Sequence, residues 1–203
     1  DDFWDNWKEI LAMMNYARQW EHVGGPGHWP DCDMLQVGKL SKRGPNGRER
    51  YSRFTEDELY THITFWSIYQ SPLMIGGNMP ENRALELKLL TNEEVLAVNQ
   101  HGMSPTQLLK TDSSMIWISF APGGKDVYVA MFNIGEKASD VSFDFSTLKL
   151  KGKLPVRDLW NKTDLGIFKN RFSTKINAHG SVLLKIATNQ VLNPKTVSAN
   201  IHP

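Results

Sequence analysis

The densest set of reactive side chains in this 203-residue chain is Gly24-Gly25-Pro26-Gly27-His28-Trp29-Pro30-Asp31-Cys32-Asp33-Met34-Leu35. Asp31 and Asp33 are two residues apart, so an extended backbone turns both carboxylates, and Trp29 with them, to one face. Carboxylates accept hydroxyl hydrogen bonds and an indole covers an apolar ring face, the combination a sugar site needs. The competing reading is a turn whose aspartates cap backbone amides, and for the motif alone that is the commoner outcome. A second acidic set, Asp1, Asp2 and Asp5, stands before and at the start of a helical pattern. Capping and the helix dipole account for such a set. Acid–base chemistry there requires a second carboxylate and a place at the carboxyl end of a strand.

Other chemistries find little support. Lys42, Arg43, Arg48, Arg50 and Arg53 crowd one segment against Glu49 alone, yet no aromatic residue interleaves them, as expected for a solvated loop. With 23 basic and 22 acidic residues the net charge is +1, which argues against a nucleic-acid partner. The six histidines form no metal-binding spacing, and the single cysteine, Cys32, excludes an internal disulfide. No glycine-framed serine nucleophile or phosphate-cradling loop is present, and no apolar run approaches the roughly 18 to 20 residues of a membrane span. Asn161-Lys162-Thr163 fits a glycosylation sequon, which matters only in a glycosylating secretory pathway.

The elements that must position these residues fall into two groups. Phe3, Trp4, Trp7, Ile10, Leu11 and Met14 recur at helical spacing, giving a helix that ends near Trp20, before the Gly24-Gly25-Pro26-Gly27 breaker. Thr55 with Glu58 forms a capping box for a second helix through Gln70. Pro72 to Gly76 suits a buried strand. Two short helices follow, one between Pro80 and Leu90 and one from a second capping box, Thr91 with Glu94. After Gly102 the period changes to β-branched and aromatic runs at 115–120, 126–132, 141–145, 156–160, 172–176 and 181–186. Turn signals between them indicate an antiparallel sandwich or small barrel. The expected organisation is α/β plus all-β: residues 1–102, a β-sandwich over 103–188, and a polar tail or linker over 189–203.

Gly-Pro-Gly-His-Trp-Pro-Asp-Cys-Asp-Met-Leu, residues 25–35, resembles the motif of glycoside hydrolase family 27, the α-galactosidase or melibiase family. The resemblance continues through Arg53-Phe54-Thr55, Phe65-Trp66-Ser67-Ile68, Ser71 to Gly77 and Leu90 to Gln100. Asp158-Leu159-Trp160 and His179-Gly180 are weaker anchors. It implies that residues 1–102 are the C-terminal portion of a TIM (β/α)8 barrel, strands 7 and 8 with their helices, followed by the family's antiparallel β-sandwich. Because a whole barrel takes about 250 residues, the remainder is expected upstream.

The implied reaction releases terminal α-linked galactose by double displacement with two aspartates, and it needs no cofactor. Aligning the family's helical tryptophan with Trp7 places the acid/base at Asp2, with Asp1 the alternative register. Asp33 and Met34 fall on the family's sugar-contacting pair, with Asp31 and Trp29 in support. The family's nucleophile lies in a Tyr-x-Lys-x-Asp strand that these residues lack, so the chain alone is expected to be inactive. The expected partner is an α-galactoside or related glycan. An α-N-acetylgalactosaminidase, a β-L-arabinopyranosidase and a non-catalytic carbohydrate-binding module remain as alternatives. The family is commonly secreted, periplasmic or lysosomal, which is the localisation the resemblance implies.

Overall fold

The computed structural model describes residues 2–21, 23–42, 47–188 and 190–192. Helix α1 spans Trp7–Trp20, and its N-cap is Asn6, whose side chain accepts the Glu9 N–H. It buries Ile10, Met14 and Ala17, one stripe at helical spacing. Helix α2, Glu56–Tyr69, starts at the expected capping box, with Thr55 and Glu58 each bonding the other's backbone. It ends at Gln70, whose φ of 65° breaks the helix.

Leu35 pairs with Ile75 in a parallel bridge: the Leu35 N–H donates to the Met74 carbonyl at 2.7 Å, and the Gly76 N–H donates to the Leu35 carbonyl at 3.0 Å. The Leu35 segment thus runs parallel to and beside the strand expected at Pro72 to Gly76, although their pairing is a single bridge. Between them lies a small antiparallel pair, β1 (Lys39–Leu40) with β2 (Arg50–Tyr51). A 3-10 turn, Met79–Glu81, leads to α3 (Ala84–Leu90) and α4 (Glu93–His101). The cap of α4 differs from expectation. Asn92, not Thr91, accepts from the Glu94 and Val95 N–H groups, while the Thr91 hydroxyl donates back to the Leu87 carbonyl and finishes α3. Thr91 is the C-cap of the preceding helix, which leaves Asn92 as the residue directly before α4.

The β region contains β3 (Met103–Lys110), β4 (Ser114–Phe120), β5 (Asp126–Asn133), β6 (Ser139–Asp144), β7 (Lys153–Asp158), β8 (Thr163–Lys169), β9 (Arg171–Ile176) and β10 (Ser181–Ala187). Six of them form one antiparallel sheet in the order β3-β4-β5-β10-β7-β8, and β6 pairs with β9. Alternation sorts the side chains. Met115, Trp117, Ala130, Phe132 and Leu183 face α2, where they join Phe65 and Tyr69. Ile116, Ile118, Val129, Met131, Leu184 and Ile186 face the β6–β9 pair, with Val141, Phe143 and Phe172. Covered on both faces, β4 and β5 are apolar at nearly every position. The middle-layer sheet also explains why α2 is buried almost all round.

Polar contacts knit the helices to the sheet. The Trp160 indole donates to the Thr64 hydroxyl at 2.8 Å, and the Asn92 amide donates to the Leu159 and Trp160 carbonyls. Arg157 grips Glu94 with two hydrogen bonds and holds its carboxyl below the usual carboxylate range. His179 stacks on Trp7 with ring centroids 4.0 Å apart and bonds Glu58 through Nδ1 at 2.8 Å. Residues 189 and 193–203 lie outside the described residues, and with them most of the expected tail.

Candidate active site

Phe3 anchors the site. Its ring is buried against Trp66 and His62, with centroids 4.9 and 5.0 Å away, and Phe54 stands at 6.2 Å. Its backbone is held on both sides: the N–H donates to Asp33 Oδ2 at 2.8 Å, and the carbonyl accepts from Gln36 Nε2 at 3.0 Å. Asp2, one residue earlier, is exposed and lines a cavity of about 580 Å³ together with Trp4, Asp33, Met34, Gly76 and Gly77. Asp2 does not cap α1, since Asn6 does. A fixed Phe3 backbone restricts where the Asp2 carboxyl can reach.

Asp33 adopts a φ of 71°, in the left-handed region that aspartate tolerates better than most side chains. Its carboxylate accepts from the Phe3 N–H and, at 2.6 Å, from the Met34 N–H, while its carbonyl accepts from the Trp66 indole at 2.9 Å. This residue therefore joins the stretch just before the Leu35 bridge, the segment carrying Asp2, and α2. An ionised carboxylate has about four acceptor positions, so two remain for a ligand. Met34 is 44% exposed and presents an apolar side chain to the same cavity.

Asp31 accepts the Asp33 N–H at 2.8 Å, as in an Asx turn, and Trp29 is exposed; neither lines the cavity of Asp2. The left-handed Asp33 breaks the extended geometry that would put Asp31 and Asp33 on one face. Cys32 is buried, and burial pushes its thiol up to about 12, so it is unreactive at neutral pH. Gly77 permits the close approach of the two parallel segments, since a Cβ there would lie 1.9 Å from the Val37 carbonyl oxygen.

Two supporting residues went unrecognised from the sequence. Asp5 is 2% exposed and accepts from Arg50 at 2.5 and 2.8 Å and from the Arg53 N–H at 2.8 Å. It ties the start of α1 to β2, and Arg50 itself lines the Asp2 cavity. The signal was the run of arginines, but nothing local shows which of them finds a buried partner 45 residues away. His62 lies under Phe3 with neither ring nitrogen hydrogen-bonded, and burial lowers its pKa to about 3. Among the described residues no group of three or more His, Cys, Asp or Glu side chains could hold a metal ion.

Two parallel segments bridged at Leu35 and Ile75, with Asp33 and Asp2 beside them and an antiparallel sandwich behind, fit the end of a (β/α)8 barrel joined to a β-sandwich domain. The chain belongs to the melibiase family: residues 1–101 match the family model described as alpha galactosidase A, and residues 111–186 match the alpha galactosidase C-terminal beta sandwich domain. It is similar to a GH27 β-L-arabinopyranosidase from Geobacillus stearothermophilus, with 41% identity and a TM-score of 0.89 over 93% of this chain and 44% of that one. Alpha-galactosidase D of Emericella nidulans is 28% identical over 207 residues, covering 100% of this chain and 28% of the relative. Alpha-galactosidase 2 of Arabidopsis thaliana is 28% identical, covering 88% of this chain and 43% of that protein. The chain thus spans less than half the length of each.

Proposed function

We propose that these residues supply the acid/base and part of the sugar grip of a retaining glycosidase that releases terminal α-linked galactose from oligosaccharides or glycoconjugates. The observation that carries this is the shared cavity of Asp2 and Asp33, coupled through the Phe3 N–H. Asp2, protonated, gives its proton to the leaving oxygen as a carboxylate attacks the anomeric carbon. Asp2 then takes a proton from the water that releases the sugar, and two inversions return the original anomer. Asp33 is already fixed by two backbone N–H groups, which suits it to a sugar hydroxyl rather than to nucleophilic attack. The nucleophile then belongs to a part of the whole protein outside these residues, in keeping with the short span of the relatives that the chain covers.

A second reading has a specific observation behind it, the 41% identity to a β-L-arabinopyranosidase. A β-L-arabinopyranoside has the ring stereochemistry of an α-galactoside without the C5 hydroxymethyl group, so the same acid/base serves both. A carbohydrate-binding sandwich has less support. Trp117, Tyr128, Phe132 and Phe143 are buried in its core, and the large apolar side chains exposed on it, such as Leu109, Leu165 and Ile167, are aliphatic. The test is turnover by the whole protein of nitrophenyl α-galactoside, β-L-arabinopyranoside and α-N-acetylgalactosaminide, with proton NMR of the first sugar released. Release of galactose as the α-anomer supports the proposal. Preference for the arabinopyranoside moves the assignment to the second reading, and an inverted product refutes double displacement.

A further inference from the structure

The arginine-rich segment lacks interleaved aromatics in sequence, but the fold supplies one from elsewhere. Trp4, 44% exposed, combines with Gly47, Arg48, Arg50 and Arg53 to line a second cavity of about 410 Å³. This cavity shares Trp4 and Arg50 with the one that contains Asp2.

The charges around it are unevenly matched. Arg50 is committed to buried Asp5, Lys39 pairs with Glu49 and Glu81, and Lys42 pairs with Glu81. Arg48 and Arg53 are exposed, and among the described residues no carboxylate forms an ion pair with either guanidinium, although the Arg53 backbone N–H donates to Asp5. Two arginines with no ion-pair partner among the described residues thus share a cavity lining with an exposed indole. A guanidinium fork matches a carboxylate, and an indole covers the apolar face of a pyranose ring.

We propose that this cavity holds an acidic sugar, a uronosyl residue, on the leaving-group side of the substrate. The inference rests on the assignment of Asp2 as the acid. A group that protonates the leaving oxygen must stand beside the leaving group, and Trp4 lies two residues from Asp2. The uronate carboxylate meets Arg48 and Arg53 while its ring lies on Trp4. A free phosphate has the charge but no ring face for the indole, which separates the two ligands experimentally.

The experiment compares, in the whole protein, kcat/KM for an α-galactosyl glucuronic acid disaccharide and for the matching α-galactosyl glucose disaccharide. A parallel calorimetric titration uses methyl glucuronoside, methyl glucoside and inorganic phosphate. The expected preference for the acidic disaccharide is about tenfold at low salt, the low end for charge-assisted hydrogen bonds because the arginines are exposed. It should fall toward unity with added salt and in the double variant Arg48→Gln/Arg53→Gln, chiefly through KM. Should the double variant fail to fold, the salt dependence and the single variant Arg48→Lys, which keeps charge but loses the planar fork, carry the same test. Equal handling of the two disaccharides, or a preference indifferent to salt and to the arginines, overturns the proposal. So does binding of phosphate without methyl glucuronoside. Failure to cleave either disaccharide counts against the assignment of the acid, while the titration still decides whether the cavity takes an acidic sugar.

Discussion

Replacement of His62 by phenylalanine should remove a large acid sensitivity from the folded state. The imidazole is caged by Phe3, Phe54 and Trp66, with ring centroids 5.0, 5.3 and 4.2 Å away, and neither nitrogen has a hydrogen-bond partner. Burial lowers its pKa from 6.5 to about 3. Between those values the unfolded chain binds a proton that the folded chain refuses, so stability falls as pH falls. Each pH unit well below 6.5 costs about 1.4 kcal/mol, and the loss between pH 7.5 and 4.5 comes to about 2.5 kcal/mol. Glu86 and Glu94, held below their ordinary values by Arg83 and Arg157, contribute stability above the unfolded carboxylate range and lose it only below about pH 4.5. The window from 6.5 to 4.5 therefore isolates the histidine term when wild type is compared with His62→Phe. The assay is urea denaturation of both proteins across pH 4.5 to 7.5. The variant, which leaves no unpaired nitrogen in the cage, should match or exceed wild type at pH 7.5 and lead it by about 2.5 kcal/mol more at pH 4.5. Parallel profiles for the two proteins would refute the reasoning.

Two further substitutions probe the support beneath Asp2. Gly77→Ala drives a methyl group against the Val37 carbonyl oxygen. It should cost about 2 to 3 kcal/mol in denaturant titration, whereas Gly25→Ala, where a Cβ meets nothing within 4 Å, should be nearly neutral. Asp5→Ala leaves Arg50 without its partner and the Arg53 N–H without its acceptor. It should destabilise by about 3 kcal/mol and lower turnover by the whole protein, and the additional change Arg50→Leu should recover part of the stability by removing the orphaned charge.

The sequence made the elements with strong local signals legible. The capping box at Thr55 and Glu58 lies where its pattern put it, and each of the six apolar runs of the sandwich overlaps a strand, although β7 starts three residues before its run and ends at Asp158. Strands β3 and β8 were not visible. Residues 103–110 contain Pro105 and several polar residues, and β8 is an exposed edge strand interrupted by Gly166, so neither carries an alternating apolar pattern. At the site, the family resemblance pointed to Asp2 and Asp33, but their meeting depends on a backbone hydrogen bond spanning 30 residues. The pairing of Asp5 with Arg50 and the placement of Trp4 beside the arginines are likewise tertiary facts. Local rules still governed Asp31, whose Asx-type bond to the Asp33 N–H is the turn chemistry that its neighbours favour.

The role of Asp2 is tested most directly by leaving-group dependence in the whole protein. If Asp2 protonates the leaving oxygen, Asp2→Ala should slow cleavage of an unactivated α-galactosyl sugar by about a hundredfold or more. Nitrophenyl α-galactoside, whose phenolate leaves without help, should be affected far less. Equal losses on the two substrates would contradict the assignment of Asp2 as the acid.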